Sequence, residues 1–302
     1  MDRIDTTIRR EYRSEPETRT GRANRAPKKQ KKSSFQKFIK SPKGIVFIIL
    51  AILSYVGTFY PTGMSGIKNV VLAIVTGVLL DYVVAYVMKR PLRFSDGALI
   101  TGLIIGGVLS PAVPWYFVMF TTIVALLSKH ILKDKRKPLF NPAAVGLFIS
   151  ATLFLTGESW WSGLSMTPVW MIVVLLAGGF IIVNRINKLP LVFSFLGTYM
   201  MFFLILGILN VAGAGDALRA PYIDAALFMS FFMLTDPPTS PAKYREQVIF
   251  GFLAALISGA AYLYLSKLSF LLVGLFAANS LKAIHSKLDQ HSSTRRKVMN
   301  VN

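Results

Sequence analysis

The sequence contains no cysteine. That absence excludes disulfide bonds, thiolate zinc sites and a cysteine-ligated iron–sulfur cluster within this chain. Histidine is nearly as scarce: there are three, His130, His285 and His291, and none is placed for a two-histidine haem site. If such a protein handles electrons, flavin or quinone are the carriers left to it. Charge is also scarce. Only 16% of the 302 residues are charged, against about 25% in an ordinary soluble domain. The charge is one-sided, with 34 Lys and Arg against 14 Asp and Glu. No strand–glycine–helix dinucleotide fingerprint occurs, so the chain has no NADH-binding segment of its own and electrons would have to enter through partners.

What fills the sequence instead is apolar. Hydrophobic residues make up 53% of it, and the mean hydropathy is +0.53. Residues 1–43 are the exception, with 14 Lys and Arg, 5 Asp and Glu and almost no apolar periodicity. They read as a disordered basic cytoplasmic tail, because such a segment cannot bury enough surface to offset its ordering entropy. The tail is too long and lacks the small-residue cleavage site of a signal peptide. No nucleic-acid partner is expected: membrane topology and anionic lipid headgroups already account for the basic residues.

Ten apolar runs follow. Gly44–Tyr60, Asn69–Met88, Gly97–Val113, Trp115–Leu132 and Asn141–Thr156 form one half, residues 44–156. Pro168–Val183, Leu189–Leu209, Tyr222–Thr235, Val248–Leu265 and Leu268–Leu281 form the other, residues 168–281. The membrane domain is thus residues 44–285, with 286–302 a C-terminal tail. The fold class expected is an all-α polytopic membrane protein in the lipid bilayer. A full span takes about 20 residues, so the eighth and tenth runs are short, and short or interrupted segments are typical of broken helices around a site.

With the basic tail inside, one set of loops carries Lys89, Arg90 and Arg93, then Lys129, Lys133, Lys135, Arg136 and Lys137, then Arg185 and Lys188, then Lys243 and Arg245. The other set carries only Lys68, Arg219 and Lys267. The positive-inside rule therefore places both chain ends in the cytoplasm. Trp115, Trp160, Trp161 and Trp170 fall at the predicted outer face, as an aromatic belt would.

Five spans per half is odd, so any internal repeat must be inverted in the membrane. The third run reads S-D-G-A-L-I-T-G-L and ends V-L-S-P at Pro111, while the eighth reads Y-I-D-A-A-L-F-M-S and ends M-L-T-D-P-P at Pro238. Asp96 then lies inside and Asp224 outside, each as a helix-start residue favoured by the N-terminal dipole. Gly106-Gly107 and Gly178-Gly179 are expected to allow close helix packing.

Three constellations carry chemistry. Asn141 and Pro142 suit the cap and first position of a helix. With five basic residues just upstream, that helix start is either a plain cap or an anion site facing a group such as a flavin phosphate. Thr235-Asp236-Pro237-Pro238-Thr239-Ser240-Pro241 cannot be helical through its centre. It is either a capped interfacial turn or unwound backbone that, with Thr235, Asp236, Thr239 and Ser240, binds a cofactor or cation. Asp81 lies seven residues from the inner end of the second run, about 10 Å deep at the helical rise. It is, with Asp236, a candidate for an ion pathway, or else an interhelical or intersubunit bond.

A-L-I-T-G-L (Ala98–Leu103), P-L-F-N-P-A-A-V-G (Pro138–Gly146) and F-F-M-L-T-D-P-P-T-S-P (Phe231–Pro241), followed by I-F-G (Ile249–Gly251), occur in order. In these motifs, within residues 44–285, the chain resembles the RnfD subunit of Rnf electron-transport complexes and the NqrB subunit of sodium-translocating NADH:quinone reductase. The resemblance implies a urea-transporter-like fold of two inverted five-helix repeats in the bacterial inner membrane. It also implies FMN or riboflavin held near Phe140, Asn141, Pro142, Thr235, Asp236, Thr239 and Ser240, partner subunits of an electron-transport complex, and electron transfer coupled to cation transport. Members commonly esterify FMN to the threonine of an S-G-A-T motif in the loop after the fifth span. Here that loop reads G-E-S-W-W-S-G-L-S-M-T, and Thr167 sits in a shortened version of the motif as the candidate attachment point. The glycines that usually precede the F-N-P motif are replaced by K-D-K-R-K. Two other functions stay open on the sequence: a small-solute channel or transporter of similar fold, and a diverged membrane scaffold that has lost its flavin.

Overall fold

A computed structural model of the protein describes residues 34–59, 63–92, 94–134, 137–165, 167–265 and 269–299. The expected disordered tail over residues 1–33, and the loop charges of Arg93, Lys135, Arg136 and Lys267, lie outside them. Eleven α-helices occur among the described residues: α1 (Ser34–Ile39), α2 (Pro42–Gly57), α3 (Gly63–Val87), α4 (Asp96–Val108), α5 (Trp115–Ile131), α6 (Pro142–Phe154), α7 (Ile172–Arg185), α8 (Leu189–Ile208), α9 (Tyr222–Phe232), α10 (Tyr244–Tyr264) and α11 (Phe270–Met299). A two-residue hairpin, β1 (Lys133–Asp134) with β2 (Lys137–Pro138), joins α5 to α6 and pairs Lys133 with Pro138.

Helices α2–α11 coincide with the ten apolar runs. Three are long and apolar enough to cross a membrane (Met64–Val87, Leu189–Ile208 and Tyr244–Tyr264), and seven shorter apolar helices accompany them. This is an all-α polytopic membrane protein. Its exterior is accordingly apolar: Val71, Val75, Leu79 and Val83 on α3 are all exposed, four residues apart on one face. A stripe that a soluble protein would bury is here the surface presented to acyl chains.

The two halves repeat their packing. Helix α2 packs on α4 as α7 packs on α9; α3 meets α4 and α5 as α8 meets α9 and α10; α5 lies on α6 as α10 lies on α11. Across the halves α2 meets α7 and α6 meets α11. The corresponding helices α4 and α9 are both short, 13 and 11 residues, or about 20 and 16 Å at the helical rise, well under the ~30 Å hydrocarbon core. Neither can cross alone, so the chain beyond each must find its partners inside the protein.

Several expectations change. Residues 34–43 are not featureless: α1 buries Phe38 against Phe47 and Phe94, and Ser41 caps α2 by accepting from the Gly44 N–H at 3.2 Å. The apolar part of the tenth helix is short (Phe270–Ser286), but α11 continues past it into the charged tail as far as Met299. Trp115 and Trp170 are exposed as belt residues should be, but Trp160 and Trp161 are buried. The loop after α6 folds back between the helices, so that Trp161 Nε1 donates to the Gly106 carbonyl at 2.8 Å and Ser162 Oγ to the Gly107 carbonyl at 3.1 Å. An aromatic flanked by small residues at a span end can be core as readily as belt, and composition does not distinguish the two.

The glycine pairs do allow close approach. A Cβ on Gly106 would stand 2.5 Å from Val70 Cα of α3, and one on Gly179 would stand 2.2 Å from the Phe231 ring. Gly207 on α8 has nothing within 4 Å. Gly106→Ala should therefore lose about 1–3 kcal/mol through overpacking, whereas Gly207→Ala should be neutral or stabilising. Thermal unfolding of the two variants in detergent checks this, and equal midpoints would contradict it.

Candidate functional site

Starts of α2, α4 and α6 and ends of α5, α7 and α9 gather at one end of the bundle, which also carries the basic loops. Between them lies a cavity of about 960 Å³. Its walls are apolar at Val46, Ile100, Ile104, Ile182, Phe231 and Phe232, and polar at Thr101, Asn141, Thr235 and Asp236. Lys43, Arg90, Lys129, Lys133 and Lys137, with His130, supply the charged part of the lining. The two motifs that the sequence separates by about ninety residues are thus two walls of one space.

Asn141 makes that junction. Its Oδ1 accepts from the Ala144 N–H at 3.2 Å, as a helix cap does, and its Nδ2 donates to the Met233 carbonyl at 3.2 Å. One side chain therefore starts α6 and holds the end of α9. Pro142 follows at the first helical position, where a missing N–H costs nothing. Asn141 is thus a cap, and the same side chain makes a junction between the halves: the cap uses the oxygen and the junction uses the nitrogen.

Beyond α9 the backbone leaves the helix, and its carbonyls need new partners. The Thr235 hydroxyl donates back to the Phe231 carbonyl at 2.6 Å. The Asp236 carbonyl accepts from the N–H groups of Thr239 (3.1 Å) and Ser240 (2.9 Å), which closes the proline turn. Two lysines complete it. Lys188, ahead of α8, donates to the Pro241 carbonyl, and Lys282 on α11 donates to the carbonyls of Pro238 at 3.0 Å and Ser240 at 3.1 Å. Nothing in the sequence sets either lysine apart: Lys188 reads there as a topology charge, and Lys282 is one more basic residue just after the tenth apolar run.

Burial pushes the Asp236 carboxyl up to about 6, against the bond from Thr239 and the charges of Lys43, Lys282 and Lys188. Burial, aided by the Lys282 charge, pulls the Lys188 ammonium down to about 8. A carboxyl near neutrality in a cavity wall can gain or lose a proton under working conditions.

The other candidates sit differently. Thr239 and Ser240 are buried behind the turn, and Phe140 packs its ring on Phe276 at 5.6 Å between centroids; all three support the wall without lining it. Asp81 on α3 accepts from Ser95 Oγ and from Lys129 Nζ, so it orients a cavity lysine. Thr167 lies at the opposite end of the bundle, its hydroxyl donating to the Leu164 carbonyl at 2.6 Å. That end also holds Glu158, which no sequence motif marks. It is buried, and desolvation, opposed by hydrogen bonding with Trp160, pushes its carboxyl well up.

A family model, the NQR2, RnfD, RnfE family, matches residues 30–163 and 151–266. The chain belongs to the NQR2, RnfD, RnfE family. Within it, this chain is 34% identical over 134 residues to a subunit of an ion-translocating oxidoreductase complex from Yersinia enterocolitica, covering 41% of this chain and 38% of that relative. It is 28% identical over 109 residues to a subunit of the proton-translocating ferredoxin:NAD(+) oxidoreductase complex from Clostridium ljungdahlii, covering 35% and 33%. A relative from Shewanella piezotolerans, with the same description as the Yersinia protein, is 34% identical over 118 residues, 37% of this chain and 34% of its own. The chain spans between a third and two fifths of the length of these curated relatives.

The Asp236 carboxyl has a consequence for stability. A carboxyl whose pKa is raised on folding favours the folded state below its ordinary value, and that contribution is lost as pH rises through the folded value. Here the window runs from 3.8 to about 6. Asp236→Asn should flatten the fall in unfolding midpoint across it, as measured by thermal unfolding in detergent at pH 4, 5 and 6. An unchanged slope would mean that the carboxyl is not held as described.

Proposed function

We propose that this chain is a membrane subunit of an Rnf-type ion-translocating electron-transport complex, and that it holds a flavin non-covalently in the cavity between the F-N-P and T-D-P-P motifs. The complex is placed in the bacterial inner membrane, with both ends of the chain cytoplasmic. Support for the complex comes from the names of the relatives, and support for orientation from the basic loops. The single observation that carries the flavin is that one cavity joins both motifs.

The residues suit that group. A space of about 960 Å³ is at the upper end of small-molecule sites. Ile100, Ile104, Phe231 and Phe232 offer apolar walls for a flat ring system and exclude water from it. Thr101 and Asp236 offer polar contacts, and the basic residues lie where an anionic tail would go. When bound, a flavin supplies reversible one- and two-electron chemistry. The chain's own contribution is to orient the ring between α4 and α9, and to hold or release a proton at the Asp236 carboxyl as the charge beside it changes. Lys129, fixed by Asp81, and Lys188 and Lys282, fixed on the proline turn, keep the surrounding field positive. Electrons enter and leave through partner subunits.

The test is spectroscopic. Protein purified with its natural membrane neighbours should show a flavin absorbance spectrum, and the flavin should leave the polypeptide on denaturation. Ile104→Trp, which fills the cavity, should lower flavin content without displacing the partners. Colourless protein in the intact complex would remove the reading. Flavin that stays with the denatured chain and is lost in Thr167→Ala would put the cofactor at the opposite end of the bundle.

A further inference from the structure

The basic-end cavity lies at the starts of α2 and α4 and the end of α9. The repeated packing of the two halves relates that place to the ends of α2 and α4 and the start of α9, at the opposite end of the bundle. There the chain's own loop fills the space. The turn Trp161–Gly163 packs on α2, α4 and α9, and residues 160–164 are all buried. Gly57, at the end of α2, and Gly66 on α3 lie against the Trp161 indole. A Cβ on Gly163 would stand 3.3 Å from the Asp224 carbonyl, and the Trp160 ring meets Phe228 of α9 at 6.1 Å between centroids.

The loop also satisfies the carbonyls that the end of a helix leaves over. The N–H groups of Ser159 and Trp160 donate to the Val108 carbonyl at 2.9 and 3.0 Å, and the Ser110 N–H donates to the Gly157 carbonyl at 2.8 Å. The side chains of Trp161 and Ser162 serve Gly106 and Gly107 in the same way. Other groups are ill served by this seat. The hydroxyl oxygens of Ser159 and Ser165 in the loop, and of Ser54 in α2, are buried without a hydrogen-bond partner, which native interiors rarely tolerate. Trp160 and Leu164, which bracket the turn, have φ of 50° and 65°, in the left-handed region that bulky side chains avoid. Withdrawal of the loop would relax both residues and hydrate all three hydroxyls, while exposing two indoles. Opposed effects of this kind give a segment two states.

We infer that residues 157–165 are a removable plug. Seated, it closes the end of the bundle opposite the basic cavity. Withdrawn, it opens at the end of α4 the counterpart of the cavity at the end of α9, and gives the chain a solvent entry at each face of the membrane. Trp161 is the stopper, and the backbone bonds of Gly157, Ser159 and Trp160 to the end of α4 hold the base of the loop. The inference does not depend on what the basic-end cavity binds.

The experiment uses the full chain with its natural membrane neighbours in nanodiscs, whose two faces are both open to reagents. Hydrogen exchange read by mass spectrometry tests removal. The amides of residues 159–164, among which Ser159, Trp160, Gly163 and Leu164 carry backbone hydrogen bonds, should exchange together, at least about tenfold faster than those of α4 and α9 that enclose them. Thiol labelling then tests the opening. The chain has no cysteine of its own, so Ser54→Cys places one thiol behind the plug, and Gly215→Cys, in open space, serves as control. A polar maleimide should label Ser54→Cys to completion in the folded protein, but more slowly than Gly215→Cys. Adding Trp161→Ala should speed the first by at least about tenfold and leave the second unchanged. Trp161→Phe, which keeps a ring between Gly57 and Gly66 but loses the bond to the Gly106 carbonyl, should fall between, and covers a failure of the alanine variant to fold. Trp170→Ala, at an exposed tryptophan, should change neither rate. Exchange in residues 159–164 as slow as in α4 and α9 would make the loop permanent core and overturn the inference. So would a Ser54→Cys thiol that stays unlabelled, or one whose rate ignores both Trp161 variants.

Discussion

A chain that stops being helical inside a membrane must find new partners for its backbone, because hydrocarbon supplies none. Everything at the basic end of this protein follows from how that requirement is met after α9. The Thr235–Pro241 segment is held by its own hydroxyls, by Lys188 and Lys282 on its carbonyls, and by Asn141, which ties the last turn before it to the start of α6. Prolines make the unwinding obligatory. The lysines and the asparagine make it tolerable in energy and single in conformation. The cavity is the space that these constraints leave between two helices too short to fill it.

The inverted arrangement explains why the cavity stands where it does. α4 and α9 are matching short helices of the two halves, and each packs against its own counterpart neighbours. Their ends meet near the starts of α2 and α6, so side chains from both halves reach the same space. The halves have diverged in charge. Asp96 begins α4 paired with Lys43, whereas Asp224 begins α9 buried. Among the described residues, the cluster of cations lines the cavity at one end of the bundle.

Much of this was legible in the sequence. The ten helices, the short eighth span, the cap at Asn141 and the break at Asp236 all rest on local rules: apolar run length, proline geometry and capping chemistry. Those rules operate within a few residues, so they survive without knowledge of the fold. What was not legible depends on neighbours distant in the chain. Lys188 and Lys282 reach carbonyls 53 and 44 residues away, and nothing in their local pattern sets them apart from other interfacial lysines. Trp161 enters the core because Gly57 and Gly66 make room for its indole and the Gly106 carbonyl accepts its bond. Asp81 reads as a lone membrane acid until α5 brings Lys129 beside it. Asn141 shows both sides: its cap was readable, while its bond to Met233, 92 residues on, was not.

The central claim is that the F-N-P start of α6 and the unwound T-D-P-P segment form one flavin-binding space. Photolabelling of the intact complex with an azido-flavin, followed by peptide mapping, tests it most directly. The account predicts labelled residues within both 97–104 and 231–238, suppressed by excess FMN. Labelling confined to residues 157–168, at the other end of the bundle, would contradict it.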